Sequence, residues 1–464
     1  MEVRMLIQHG MVVLRERVAR ADVRVTDGRI AEIGELRPEA GESVLDAGGK
    51  YVVPGGIDAH THLDMPCGDI TTADGFQCGS LAAIAGGTTT VLEYAECAEG
   101  ETLQQGLANW HRKAAGKSFC DYGFHMTVSA WTEDTPAQMA AAVASGVTSF
   151  KTYTAYQNDI GVDDYALFRI MREAARLGAL VCVHCENDGL LRALSEDLEA
   201  RKGEVSAHPD SRPNLVEAEA VSRAADIGML AGAAVYIVHI STKEGAEAVR
   251  RARDRGQTIF GETCPHYLLL DRSRYDLPGF EGAKYVMSPP LRTPEDQRVL
   301  WDALRNGGLQ TVSTDHCAFR FADQKTLGRE DFRKIPNGIP SVEHRMELLY
   351  TYGPAQGMTL PQIAAVTAWN PARIFGLSHR KGQIAPGYDA DLVLLDPDAP
   401  HVLSAAAQMQ AVDYTPYEGM QVRAKVETVL LRGQVLMENG RLTAETPMGQ
   451  YLIREPFHQE TREE

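Results

Sequence analysis

"VTSFKTYTAYQNDIGVDDYALFRIMREAARLGALVCVHC", Val147 to Cys185, holds one full repeat of the pattern that decides the fold. A short apolar run, "VTSFKTY", gives way to a helical pattern, "DDYALFRIMREAARLGA", and then to a second apolar run, "ALVCVHC". Apolar strands alternating with helices mark βα units, whose parallel sheet is covered on both faces. One residue breaks the rule. Lys151 stands inside the first strand, where an ammonium is costly unless it is paired, neutralised or chemically changed.

The same alternation extends outward to about residues 52 and 376. Six further strands are predicted in "YVVPGGIDAH", "TTTVLEYA", "CDYGFHMTV", "AAVYIVHIS", "QTIFGETC" and "LQTVSTDH", with helical segments such as "STKEGAEAVRRARDRG" between them. Eight βα units over this length predict a (β/α)8 TIM barrel with insertions. The flanks read differently. "MLIQHGMVVLRERVARADVRVTDGRIAEIGE" near the start, and "GQIAPGYDADLVLLDPDA" and "KVETVLLRGQVLMENGRL" near the end, are short strands broken by Gly and Asp turns. The expected organisation is a discontinuous β-sandwich from residues 1–54 and 377–440 beside a barrel of residues 55–376. Residues 441–464 form a polar tail that could serve as an arm onto a neighbouring subunit.

Composition narrows the function classes. With 44% hydrophobic and 23% charged residues in 464, the chain is globular and has material for a large core. Its 63 acidic and 46 basic residues give a net charge of −17, which disfavours nucleic acid and anionic membranes as partners and suits a small-molecule enzyme. No run approaches the roughly 20 apolar residues of a membrane span, and the start lacks a signal peptide's apolar region, so the expected location is the cytoplasm. The eight cysteines show no framework spacing and read as reduced thiols. In "CVHC", Cys182 and Cys185 fall on opposite faces of a strand, which argues against a shared zinc site.

Four of the fourteen histidines end predicted barrel strands, where TIM-barrel active sites form. His60 and His62, in "DAHTH", share one face of the first strand; His184 and His239 end the fifth and sixth. The His60–His62 pair alone reads equally as core histidines, and His184 and His239 alone are each more often satisfied core residues than ligands, but together the four stand at one height on the barrel. Asp315, in "STDH", reaches the same rim from the eighth strand, unless it is a helix cap or turn residue. A cationic Lys151 could not sit beside a metal ion. A neutral lysine amine that has taken up carbon dioxide becomes a carbamate, a carboxylate-like group able to bridge two ions. The ligand count then closes: one ion on His60, His62, Asp315 and a carbamate oxygen, the other on His184, His239 and the second oxygen, with a bridging hydroxide. Zinc suits these donors; manganese, cobalt and iron remain open on ligand type.

At these residues the chain resembles the cyclic amidohydrolases of the amidohydrolase superfamily. "PGGIDAHTHLDMP", "SFKTYTAY", "VHCEN", "YIVHIS", "GETCPHYLLL", "MSPPLR", "STDHC", "IPNGIPSVEHR" and "GYDADLVLLDP" match, in order, motifs of dihydropyrimidinases and D-hydantoinases. The resemblance implies that Lys151 is an N6-carboxylated bridge and that His60, His62, His184, His239 and Asp315 are the other ligands. It implies that Tyr156 donates to the substrate carbonyl and that Ser288 and Asn337 hold the cyclic imide, largely through backbone groups. It also implies a homotetramer or dimer. Two departures concern the loops around the substrate's ring substituent: Cys67 stands where a bulky aromatic is usual, and strand two ends "LEYAEC" rather than "VDF". Glu93 and Glu96 there read equally as solvated loop carboxylates.

The expected reaction is hydrolytic ring opening of a dihydropyrimidine or 5-substituted hydantoin to an N-carbamoyl amino acid, with Asp315 carrying the proton to the leaving nitrogen. An allantoinase or dihydroorotase is the nearest alternative, although no match to the cationic anchor dihydroorotase needs is evident. A non-catalytic adaptor of this fold is a remote one, because such relatives have lost metal ligands and this chain keeps all six.

Overall fold

The computed structural model describes residues 4–457. Eight parallel strands form one sheet: β1 Gly56–Thr61, β2 Thr88–Ala95, β3 Asp121–Thr127, β4 Ser149–Tyr153, β5 Leu180–His184, β6 Val235–Ile237, β7 Ile259–Thr263 and β8 Thr311–Val312. They neighbour one another in chain order from β1 to β8, and a parallel bridge between Thr61 and His316 brings the two edges together. The result is the expected TIM barrel. Its interior is filled by Ile57, Ala59, Leu92, Tyr94, Cys182 and Tyr236 from alternate positions of the strands. Cys185 packs instead in the layer under the helices, so the two cysteines of "CVHC" do face apart.

The loops at the carboxyl ends of the strands are closed by capped helices. Asp163 accepts from Ala166 N at 2.8 Å to start Asp164–Arg176, Asn187 accepts from Leu190 N to start Asp188–Asp197, and Thr242 accepts from Gly245 N to start Lys243–Asp254. Such caps satisfy otherwise orphaned helix N–H groups. They also fix where each strand-to-helix loop ends.

The two flanks meet in one nine-stranded sheet, in which strand Tyr51–Pro54 lies between Arg4–Val13 and Leu392–Asp396. It has its own apolar cluster, including Ile7, Val23, Val25, Leu392, Leu394 and Leu430. A buried ionic knot joins this unit to the barrel. Lys381 Nζ lies 2.8 Å from Asp121 in β3, 2.5 Å from Asp391 and 3.3 Å from Asp389, and Arg432 also binds Asp121. The three carboxylates resemble a metal cluster in spacing, but Lys381 already occupies their centre.

Of the stretch expected to form an arm, residues 449–457 run beneath the chain's own barrel, and residues 458–464 lie outside the described residues. Tyr122 N donates to Gln450 O, Leu452 N to Tyr122 O and Phe457 N to Gly178 O, while Arg454, 2% exposed, donates to Ser149 Oγ at 2.8 Å. Among the described residues no helix is long and apolar enough to cross a membrane.

Candidate active site

The barrel's carboxyl rim opens into a cavity of about 1000 Å³, and all nine residues singled out from the sequence line it. β1 carries His60 and, one residue past its end, His62. Lys151 is in β4, and His184 ends β5. His239 and Asp315 come just after β6 and β8, where the chain has left the sheet. Ser288 and Asn337 come from the longer segments that follow β7 and β8.

His60 Nε2 lies 3.1 Å from Asp315 Oδ1 and His62 Nε2 lies 3.2 Å from the same oxygen. These three ligand atoms lie within 4.8 Å of one another. Beside them His184 Nδ1 faces His239 Nε2 at 2.9 Å, and the rings of His60 and His239 stack at 5.4 Å. Two imidazole nitrogens aimed at each other in a buried site can share one proton or one cation, but they cannot otherwise both be satisfied. Lys151 is 1% exposed, and its Nζ stands 4.4 Å above the Tyr94 ring and 4.9 Å above that of Tyr153. No hydrogen bond or ion pair to that Nζ is found among the described residues.

Burial pulls the Lys151 ammonium down, against the pull of Asp315. Burial pushes Asp315 up, yet the imidazoles of His60, His62 and His239 hold it well below the usual carboxylate range. Burial lowers His62 to about 4 and keeps His239 well below its usual value. Burial pulls His60 down, but Asp315 and Glu262 raise it above its usual value. A divalent cation needs neutral imidazoles and an ionised carboxylate, so it would take the place of that proton.

Backbone strain collects here. Of eight non-glycine residues at positive φ among the described residues, three are Tyr156 (+61°), His239 (+39°) and Asp315 (+48°). Each such placement costs of order 1 kcal/mol and persists only where its surroundings enforce it.

Two carboxylates that the sequence reading left without a role orient the rings. Glu262 Oε1 sits 2.7 Å from His60 Nδ1 and accepts from His239 N at 3.0 Å, while Tyr236 donates to Oε2 at 2.8 Å. Glu186 Oε2 sits 2.9 Å from His184 Nε2 and accepts from Arg212 at 2.5 Å. A carboxylate on the far ring nitrogen fixes the tautomer and turns the other nitrogen toward an ion. The available signal was a Glu inside the apolar strand "QTIFGETC", and another two residues after His184.

Glu93 is not a solvated loop carboxylate. It belongs to β2, is fully buried, and accepts from Thr61 Oγ1 at 2.6 Å and Leu63 N at 2.8 Å, so it pins the chain leaving β1. Glu96 lines the cavity together with Cys67, and burial raises it to about 7. Tyr156 lies 5.5 Å from the His184 ring, with the Arg212 guanidinium 5.8 Å from its own. Ser288 Oγ and Asn337 Oδ1 are buried; the Ser288 hydroxyl meets the Tyr156 phenol, and Asn337 Oδ1 has no partner among the described residues.

The chain is similar over nearly its whole length to known proteins. The model of the amidohydrolase family matches residues 51–436. The chain is 44% identical over 455 residues to a D-hydantoinase of Geobacillus stearothermophilus, covering 97% of each. It is 38% identical over 472 residues to dihydropyrimidinase 1 of Caenorhabditis elegans, covering 99% of this chain and 96% of the other. The crystal structure of a dihydropyrimidinase from Brevibacillus agri NCHU1002 superposes with a TM-score of 0.97 at 42% identity, covering 98% of this chain and all of that one.

Proposed function

Because the chain belongs to the amidohydrolase family, we propose that its cavity hydrolyses cyclic ureides and imides, opening 5,6-dihydropyrimidines or 5-substituted hydantoins to N-carbamoyl amino acids. The observation that carries this reading is the convergence of four imidazoles, Asp315 and an unpaired buried lysine in one cavity, in a chain similar over its whole length to hydantoinases.

The donor set fits divalent metal ions. His60 Nε2, His62 Nε2 and Asp315 would hold one, and His184 Nδ1 and His239 Nε2 a second. Lys151 would join them once its neutral amine has attacked carbon dioxide: an N–C bond forms, one amine proton leaves to water, and a carbamate remains whose single negative charge is shared by two oxygens. Zinc suits imidazole and oxygen donors of this number. When bound, the ions supply an ionised water and polarise the substrate carbonyl.

The chain's own residues do the rest. Ser288 and Asn337 hold the ring, largely through backbone groups, and the Tyr156 phenol donates to the oxygen on which charge develops. Asp315 accepts the proton released as a C–O bond forms, and delivers it to the ring nitrogen as the C–N bond breaks. The products of that cleavage are a carboxylate and a carbamoyl nitrogen on one open chain. Glu262 and Glu186 keep the imidazoles of His60 and His184 turned inward. We place this enzyme in the cytoplasm as a homotetramer or dimer, on the family resemblance.

A turnover panel of dihydrouracil, 5-phenylhydantoin, allantoin and dihydroorotate tests the reading. The first two are expected to open and the last two to fail. Lys151→Ala should lose both metal and activity, and small carboxylic acids should restore part of each. An unmodified amine at Lys151 in the metal-loaded enzyme, seen by high-resolution diffraction, would overturn the carbamate.

A further inference from the structure

Lys325 lies in a single 3-10 turn, Lys325–Gly328, in the segment after β8, and it is 0% exposed. Its Nζ donates to Val286 O at 2.7 Å and to Pro336 O at 2.6 Å, and no carboxylate pairs with it among the described residues. Taking an ammonium out of water without a counter-charge costs several kcal/mol. A position needed only for packing would be filled more cheaply by Met or Leu, so the two carbonyls it grips call for an explanation.

Those carbonyls belong to the two segments that carry Ser288 and Asn337 into the lining of the cavity. Val286 is two residues before Ser288, and Pro336 immediately precedes Asn337. Gly338 N also donates to Val286 O at 3.0 Å, and His208 Nε2 lies 2.8 Å from Met287 O, so the pair of segments is held from behind at several points. Gly338 has no room to move toward its neighbour: at φ +144° a Cβ there would lie 2.4 Å from Cys317 O. Ser288 and Asn337 line the cavity, and Asn337 Oδ1 is buried with no partner among the described residues.

We propose that Lys325 is a positioning residue for the substrate ring, clamping Val286 and Pro336 so that the Ser288 and Asn337 segments stand at the separation the ring requires. The proposal rests on the ring-opening function given above. Burial lowers Lys325 to about 7, against which Cys317 and Cys67 act. A neutral amine still carries two N–H bonds, one for each carbonyl, so the clamp holds in both protonation states.

Lys325→Met removes both donors and keeps the length of the chain. In the metal-loaded enzyme, with whichever ureide of the panel the wild type opens fastest, KM should rise at least tenfold. The kcat should stay within threefold and the metal content should not change, because loss of ring positioning weakens ground and transition states alike. Lys325→Arg, which restores donors, should recover most of the KM. A KM within twofold of wild type in Lys325→Met, whatever its melting temperature, would overturn the clamp and leave the ring-opening reading intact. Loss of bound metal in that variant would overturn it as well, by making Lys325 a support of the metal shell. If Lys325→Met does not fold, Lys325→Gln, whose shorter chain draws its N–H groups back from the two carbonyls, decides by the same KM criterion. A wild type that opens no ring of the panel defeats the functional reading first, and the clamp with it.

Discussion

Glu262 shows how much of the site depends on a single residue. One of its oxygens meets His60 Nδ1 and His239 N, and the other takes the Tyr236 hydroxyl, so it aligns a residue from each of the two clusters. Glu262→Gln keeps the shape but weakens the hold on His60; metal affinity should fall about 10–100-fold, measured by competition with a chelator. Glu186 gives a pH prediction. Burial raises it, but Arg212 and His184 bring it to about 2. A carboxylate depressed in the folded state adds stability that is complete above its unfolded value and is lost as pH falls through its folded one. Urea unfolding of the metal-free protein should therefore lose of order 3 kcal/mol between about pH 4.5 and pH 2 from this group, and Glu186→Gln should flatten that window. Neither carboxylate had a legible role in the sequence, because His60 lies about 200 positions from Glu262 and a lone chain does not reveal which far residue a buried Glu serves.

The strands themselves were more legible. "TTTVLEYA" is β2 residue for residue, and the run ending in His184 is β5, because an apolar run flanked by polar or glycine residues leaves few other registers. "AAVYIVHIS" and "LQTVSTDH" were read as strands reaching their ligands, yet the ladders stop at Ile237 and Val312. The cause is local. His239 and Asp315 adopt positive φ, outside the range of a regular strand, so the ladder is interrupted at each ligand. Strand periodicity predicts the height of a residue on the barrel but not the backbone twist that aims it. The tight grouping of His60, His62 and Asp315 depends on that twist. The Lys325 turn carries no periodic signal at all, since its partners are main-chain carbonyls and a backbone oxygen leaves no trace in the residue alphabet.

Across the whole molecule, the barrel and the nine-stranded sheet are joined by the knot around Lys381. Lys381→Met would leave Asp121, Asp389 and Asp391 buried without their shared cation, and removing one partner of a buried ionic group destabilises by about 3–5 kcal/mol. The expected outcome is a lower melting temperature with KM unchanged in the molecules that remain folded, read by calorimetry beside steady-state kinetics. The same sheet pairs Val53 with Val393, so its central ladder joins residues on either side of the entire barrel. During synthesis strand Tyr51–Pro54 must therefore wait, its edge bare, until the ribosome has delivered the last barrel helix. Over that interval a nascent chain offers other nascent chains an open template for pairing, and slower translation or a chaperone that shields the edge should raise the yield of native enzyme.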